Sequence, residues 1–426
     1  MRTLLLASAA TMLAVGAAFA QPDKQVAAPG TVVVHLHGYF QYSVGAYGAT
    51  NMSGGSVAAG NAYELSKYGT AGDFRLYPGF DGQTLNGIWY GVQAELRTAK
   101  GNAGAGKNNN TVNGNGFSSL YVQRAYAYIG TPNYGFARLG QTDSAFSLSQ
   151  AGVVEKFGDG SQFNADGGAN LMLPSAPGLF IYADTSVLYS TNKIVYVSPS
   201  FGTDYGNFSG IIGFEPNSNG IKQGYADPGS DVGANDSAIY GGSNKRRRNT
   251  VDASLSYAND IEGFATKASV AYLHSDALGI LGAAPKTAPH GYSAISVFQA
   301  GAQTSYAGLT VGANTKWGQV EDSYSFKPEG ARNAFGYIVG ASYNVGPYTV
   351  GTSYFNEQSS GKYIPGSTSI ARTLNEYGVA AGADYQLAKP ISLFIQYEYG
   401  HQHQPTATTR GNVQEQVVAV GTTIKW

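Results

Sequence analysis

Period-two alternation of apolar and polar residues recurs along nearly the whole chain, and it constrains the fold more than any other feature. In "GIWYGVQAELRT" one parity carries Ile88, Tyr90, Val92, Ala94 and Leu96, and the other carries Gly91, Gln93, Glu95 and Arg97. Successive side chains of a strand point to opposite faces, so such a segment has one apolar face and one wet face. The split returns in "AFGYIVGASYNV", where Phe335, Tyr337, Val339, Ala341, Tyr343 and Val345 oppose Gly336, Gly340, Ser342 and Asn344. In "ISLFIQYEYG", Ile391, Leu393, Ile395, Tyr397 and Tyr399 oppose Ser392, Gln396 and Glu398. The chain ends on the same pattern, with Val418, Val420, Thr422, Ile424 and Trp426 on one side and Glu415, Thr423 and Lys425 on the other.

Strands are expected near 31–46, 72–84, 87–99, 120–131, 135–144, 191–201, 205–215, 249–258, 265–274, 294–306, 309–319, 334–345, 348–358, 373–386, 391–402 and 413–426. They number sixteen, an even count, as a closed antiparallel membrane barrel requires. A soluble sandwich also alternates, but three features favour a bilayer. Aromatic residues sit near strand ends on the apolar parity, and the segments are long enough for tilted spans. Short turns ("TLN", "TPN", "GTD", "NDIEG", "AG", "GP", "LAKP") also take turns with long stretches rich in Gly, Asn and Ser. With both termini in the periplasm, the short turns lie on that side and the long loops outside. The last strand must then pair with "TVVVHLHGYFQYSVG", leaving no unsatisfied backbone in hydrocarbon. Trp426 is placed at the periplasmic interface, where an amphipathic ring is well accommodated.

Composition agrees. Only 12% of residues are charged, the formal net charge is -1, and cysteine is absent, whereas glycine (58) and tyrosine (31) abound. Near-neutrality argues against a nucleic-acid partner, and the aromatic content argues against disorder. Residues 1–20 read as a cleavable export signal: Arg2, the apolar stretch "LLLASAATMLAVGAA", then Ala18-Phe19-Ala20. Residues 21–426 form a single barrel domain.

Chemistry finds little purchase. "GNAGAGKNNN" lacks the strand-to-helix setting of a phosphate cradle, and Lys107 is followed by asparagine rather than Ser or Thr. No G-x-S-x-G elbow occurs. His35 with His37, and His401 with His403, form H-x-H pairs that read as lumenal lining, without sequence-adjacent carboxylates or thiols to complete a metal set. No enzyme, metal or cofactor is expected. "KRRR" at 245–248 suits lipopolysaccharide phosphates, the pore mouth or a solvated loop.

Parity turns Arg75, Arg97 and Arg138 toward the lumen, with Arg124 a fourth. An inward Arg124 brings Tyr126 and Tyr128 inward and leaves Ala125, Ala127 and Ile129 outside, where small residues suit a subunit interface. The connection from 145 to 190 is long enough to be functional and carries Glu155, Asp159, Asp166 and Asp184.

The export signal, "RLYPGFDG" at 75–82, "RAYAYIGT" at 124–131, "TNKIVYVSP" at 191–199 and the aromatic terminal strand together resemble Gram-negative general porins of the alphaproteobacterial type. The resemblance spans essentially the whole mature chain, and departs at Trp426, where many outer-membrane proteins end in phenylalanine. It implies a sixteen-stranded, homotrimeric outer-membrane channel for ions and small hydrophilic solutes, in contact with membrane lipids and lipopolysaccharide. It also implies that the 145–190 loop folds into the lumen, setting Glu155, Asp159 and Asp166 opposite the arginines at a constriction. The alternative reading is a substrate-specific carbohydrate channel, which needs an aromatic track along the lumen; the inward candidates Tyr39, Tyr77, Trp89 and Phe394 are scattered.

Overall fold

A computed structural model describes residues 27–50, 53–54, 63–64, 66–98, 120–160, 162–163, 191–218, 247–277, 293–320, 327, 330–360, 373–403 and 412–426. The export signal, Asp166, Asp184, Lys245 and Arg246 lie outside the described residues.

Alternation along so many segments can satisfy every backbone group only by closing on itself, and the chain does so. The barrel strands are β1 (Thr31–Ala49), β2 (Tyr68–Gln83), β3 (Trp89–Thr98), β4 (Leu120–Thr131), β5 (Gly135–Thr142), β6 (Thr191–Val197, resuming at Phe201–Thr203), β7 (Gly206–Ser218) and β8 (Arg247–Ile261). They continue as β9 (Phe264–Ala277), β10 (Ile295–Tyr306), β11 (Leu309–Gln319), β12 (Ala334–Val345), β13 (Tyr348–Ser359), β14 (Leu374–Ala388), β15 (Ile391–His403) and β16 (Asn412–Lys425). Each pairs antiparallel with its neighbours, and β1 pairs with both β2 and β16, from Tyr39↔Lys425 to Ala49↔Glu415, giving a closed sixteen-stranded antiparallel barrel. All sixteen expected strands are present.

The boundaries shift for local reasons. Strand β2 begins at Tyr68, because Gly69, Thr70 and Ala71 pair with the upper part of β1. Strand β6 is interrupted at Pro199, which has no N–H for the ladder. There Ser198 Oγ accepts from the Gly210 N–H at 2.8 Å. The segment "NDIEG", expected as a short turn, is mostly strand. Strands β8 and β9 run to a two-residue turn at Glu262 and Gly263, both with positive φ (53° and 86°), the geometry that matches strand twist.

Outward faces carry two aromatic belts. Near the short turns Phe264 stacks on Tyr306 with centroids 4.1 Å apart, and Tyr348 lies against Tyr385 at 5.1 Å. Toward the other end Tyr272, Phe298 and Trp317 form a row with spacings of 4.6 and 5.7 Å. The eight residue steps from Phe264 to Tyr272 span about 27 Å of strand, or a little over 20 Å of membrane after a tilt of about 40°. His401 and His403, expected in the lumen, instead continue the outward parity of Tyr397 and Tyr399, and His401 lies 4.8 Å from the Tyr377 ring. His35 and His37 do face inward.

Trp426 fastens the closure. Its backbone exchanges hydrogen bonds with Gly38 (3.2 and 3.1 Å), and its ring lies over that glycine, 6.0 Å from Phe74. A Cβ on Gly38 would come within 2.6 Å of the Arg75 carbonyl as well as meeting the ring, so only glycine fits beneath the terminal tryptophan.

Candidate functional site

The lumenal face of β2–β5 carries a continuous chain of charges. Arg75 and Arg97 are direct cross-strand partners. Like charges side by side need counter-charges, and the neighbouring inward positions supply them. Asp73 pairs with Arg75 at 2.7 Å, while Glu95 accepts from Arg97 Nε at 2.5 Å, lies 3.7 Å from Arg75 and also pairs with Arg124. Asp143 receives Arg124 Nε at 3.0 Å. Arg138 lies over the rings of Tyr126 (5.1 Å) and Phe136 (5.6 Å), contacts in which a guanidinium is held by the ring faces.

A bulge makes the inward Arg124 possible. Leu96 pairs with Val122 and Glu95 with Arg124, so Gln123 is an extra residue on β4. The insertion resets parity: Val122 stays outside, and Arg124, Tyr126 and Tyr128 all turn in. Ala125, Ala127 and Ile129 face out.

The described part of the long connection lies inside the barrel. It opens with a short helix α1 (Ala145–Leu148), whose Ser144 side chain accepts from the Ser147 N–H at 3.3 Å. Phe146 N–H donates to Asp252 Oδ2 of β8 at 2.8 Å. The chain then crosses the inner wall. Ala151 accepts from Asn314 of β11 at 2.7 Å, Asp159 N–H donates to Gln396 of β15 at 2.9 Å, and Gln41 of β1 donates to the Asp159 carbonyl at 2.9 Å. Apolar packing holds it down: Phe157 and Phe163 are fully buried, and Phe163 meets Phe355 edge-on at 4.7 Å. Two phenylalanines removed from water in this way contribute about 2–3 kcal/mol each.

The sequence-derived acids behave differently from one another. Glu155 accepts from the Phe163 N–H at 3.1 Å, and burial pushes its carboxyl up to about 7. Asp159 is buried, and its carboxylate accepts from Gln162 at 3.4 Å. Arg75, Arg97 and Arg124 have carboxylate partners on their own wall, at Asp73, Glu95 and Asp143. Of these, Glu95 was visible on the wet parity, whereas Asp73 and Asp143 were not singled out. Sequence reasoning also missed Lys193, which donates to the Thr142 carbonyl at 2.9 Å and lies 3.8 Å from Glu215, and Lys316, which lies 5.4 Å from the Phe146 ring centroid. Inward parity would have found both.

Two of the aromatic candidates, Tyr39 and Phe394, are used structurally. Tyr39 donates to Asp73 at 2.8 Å, with Arg75 over its ring at 5.3 Å, and buried Phe394 occupies the space that a Cβ on Gly421 would need.

A family model described as Gram-negative porin matches residues 7–404. The chain belongs to the Gram-negative porin family. Its barrel accordingly forms an outer-membrane channel for passive diffusion. Among solved structures, the anion-selective porin of Comamonas acidovorans is similar at a TM-score of 0.54 and 16% identity, over 93% of this chain and 100% of that one. OmpT of Vibrio cholerae is similar as a loop L8 deletion mutant (TM-score 0.51, 12% identity, 93% of this porin and 99% of that chain). It is also similar in its in-vitro folded trimer form (0.50, 11%, with the same coverage). These likenesses concern the fold. No curated protein sequence matches this porin.

Proposed function

We propose that this porin is a general, weakly selective diffusion channel whose constriction lies between the arginine chain of β2–β5 and the 145–190 loop. One observation carries the reading: the described part of the loop is bonded to the inner faces of β8, β11 and β15 and reaches β1, while Arg75, Arg97, Arg124 and Arg138 project into the lumen from β2–β5. Fixed charges on low-dielectric walls orient polar solutes and disfavour apolar ones. The guanidinium groups stay charged at any working pH. Because Asp73, Glu95 and Asp143 offset most of the arginine charge, net selectivity is small.

The porin is exported with residues 1–20 removed, sits among outer-membrane lipids and lipopolysaccharide, and assembles as a homotrimer. Small outward side chains support the assembly: Ala125, Ala127 and Ala137 line the outer face of β4 and β5, whereas aromatic rings line that of β9–β15. Catalysis has no part in the role.

Liposome swelling tests the general-channel reading. Rates for neutral sugars should fall smoothly with size and rise linearly with concentration. Saturation by one sugar would establish a substrate-specific channel instead.

A further inference from the structure

Five consecutive strands place a glycine on the lumenal face: Gly301 on β10, Gly312 on β11, Gly340 on β12, Gly351 on β13 and Gly382 on β14. Gly312 pairs directly with Gly340, and Gly351 with Gly382, so they form one band across the wall. Glycine inside a strand weakens it and offers no side chain for packing, unless another backbone approaches closely. Here one does. A Cβ on Gly301 would strike the Ala151 carbonyl, and one on Gly351 would strike the Phe157 ring. On Gly312 it would come within 2.9 Å of the Gly152 carbonyl and of Val154, and on Gly340 within 2.9 Å of Val154 Cβ. On Gly382 it would lie 3.2 Å from Gly158 Cα and from Phe157. Past the band, Gln396 and Gln41 take over with the hydrogen bonds already described.

We infer that this glycine band is the seat that sets the calibre of the channel: five missing side chains let residues 151–158 lie flat on the wall, and any side chain added there lifts the loop toward the arginines. The inference rests on the constriction reading above and names the wall positions that govern solute size. The seat is a fixed one, held on strand backbone rather than on a hinge.

Two measurements test it separately. The chain has no cysteine of its own, so Ala151→Cys with Ser269→Cys, at a contact where the Ser269 hydroxyl accepts from the Ala151 N–H at 3.2 Å, reports the docked loop without filling a glycine of the band, and the pair should cross-link on mild oxidation. Single-channel conductance reports the calibre. Gly351→Ala should lower it to roughly two-thirds, as expected when one wall of a watery constriction moves in by about a bond length. Phe157→Leu should restore it in that background, and Gly312→Ala should act like Gly351→Ala if the first variant fails to give a heat-modifiable barrel. Cross-linking with reduced and rescued conductance supports the inference. Absence of the cross-link overturns the seat. Cross-linking with unchanged conductance in folded variants overturns the control of calibre, whereas the constriction reading falls only if reversing Arg97 and Arg138 leaves the reversal potential unmoved.

Discussion

Asp73 presents one carboxylate oxygen to both Nε and Nη2 of Arg75, at 2.9 and 2.7 Å, and the same oxygen accepts from the Tyr39 hydroxyl at 2.8 Å. Three donors on one oxygen fix the guanidinium against the wall between β1 and β3. Asp73→Asn keeps the shape but removes the charge that holds this arginine. It should cost about 1–3 kcal/mol, the range for weakening one partner of a buried pair, and free one positive charge in the lumen. Thermal unfolding should report the first effect, and a reversal potential moved toward anion preference the second.

Reversing Arg97 and Arg138 to glutamate acts in the opposite sense. Four units of charge change on one wall, and Glu95 loses the Arg97 donor at 2.5 Å. The channel should become cation-preferring. An unmoved reversal potential would remove these arginines from the ion path.

Glu155 should make the channel sensitive to pH near neutrality. Burial, more than the Phe163 N–H that opposes it, raises its carboxyl from the ordinary 4.5 to about 7. A raised carboxyl means the folded loop binds the proton more tightly than the unfolded chain does. Its contribution to loop docking is therefore complete below about pH 4.5 and lost as pH rises through about 7. Acidifying from about pH 8 to about pH 6 should remove one negative charge per channel and shift the reversal potential toward anions. Glu155→Gln should abolish that step while leaving the conductance at low pH in place.

Barrel closure depends on Gly38. With Trp426 over it and the Arg75 carbonyl 2.6 Å from any added Cβ, Gly38→Ala should destabilise the β1–β16 seam by about 1–3 kcal/mol, the usual cost of overpacking. The heat-modified mobility shift should occur at lower temperature. An unchanged transition would mean the seam does not limit stability.

Much of this was legible in the sequence because the signal has period two. Every strand, the pairing of first with last, and the inward turn of Arg75, Arg97 and Arg138 follow from parity alone. Devices that break parity were not legible from it. The extra Gln123 is a single residue that the pattern absorbs silently, and the outward His401 and His403 follow only if the parity of Tyr397 and Tyr399 is carried to the strand end. The loop seat escaped for a different reason. Phe146, Phe157 and Phe163 belong to a small apolar core inside the lumen, together with Ile338 and Phe355, which carry inward parity on β12 and β13. A reading that treats the inward face as uniformly wet has no place for them. The glycines opposite were visible, but their meaning depends on which segment lies over them.

The central claim is that charged groups on β2–β5 and the docked loop bound a water-filled, weakly selective path. Single-channel recording in a planar bilayer under a salt gradient tests it most directly. The account predicts large, stable steps that close in threes, a small reversal potential, and little block by added sugars. A folded, heat-modifiable barrel that gives no conductance, or one blocked saturably by a single sugar, would contradict it.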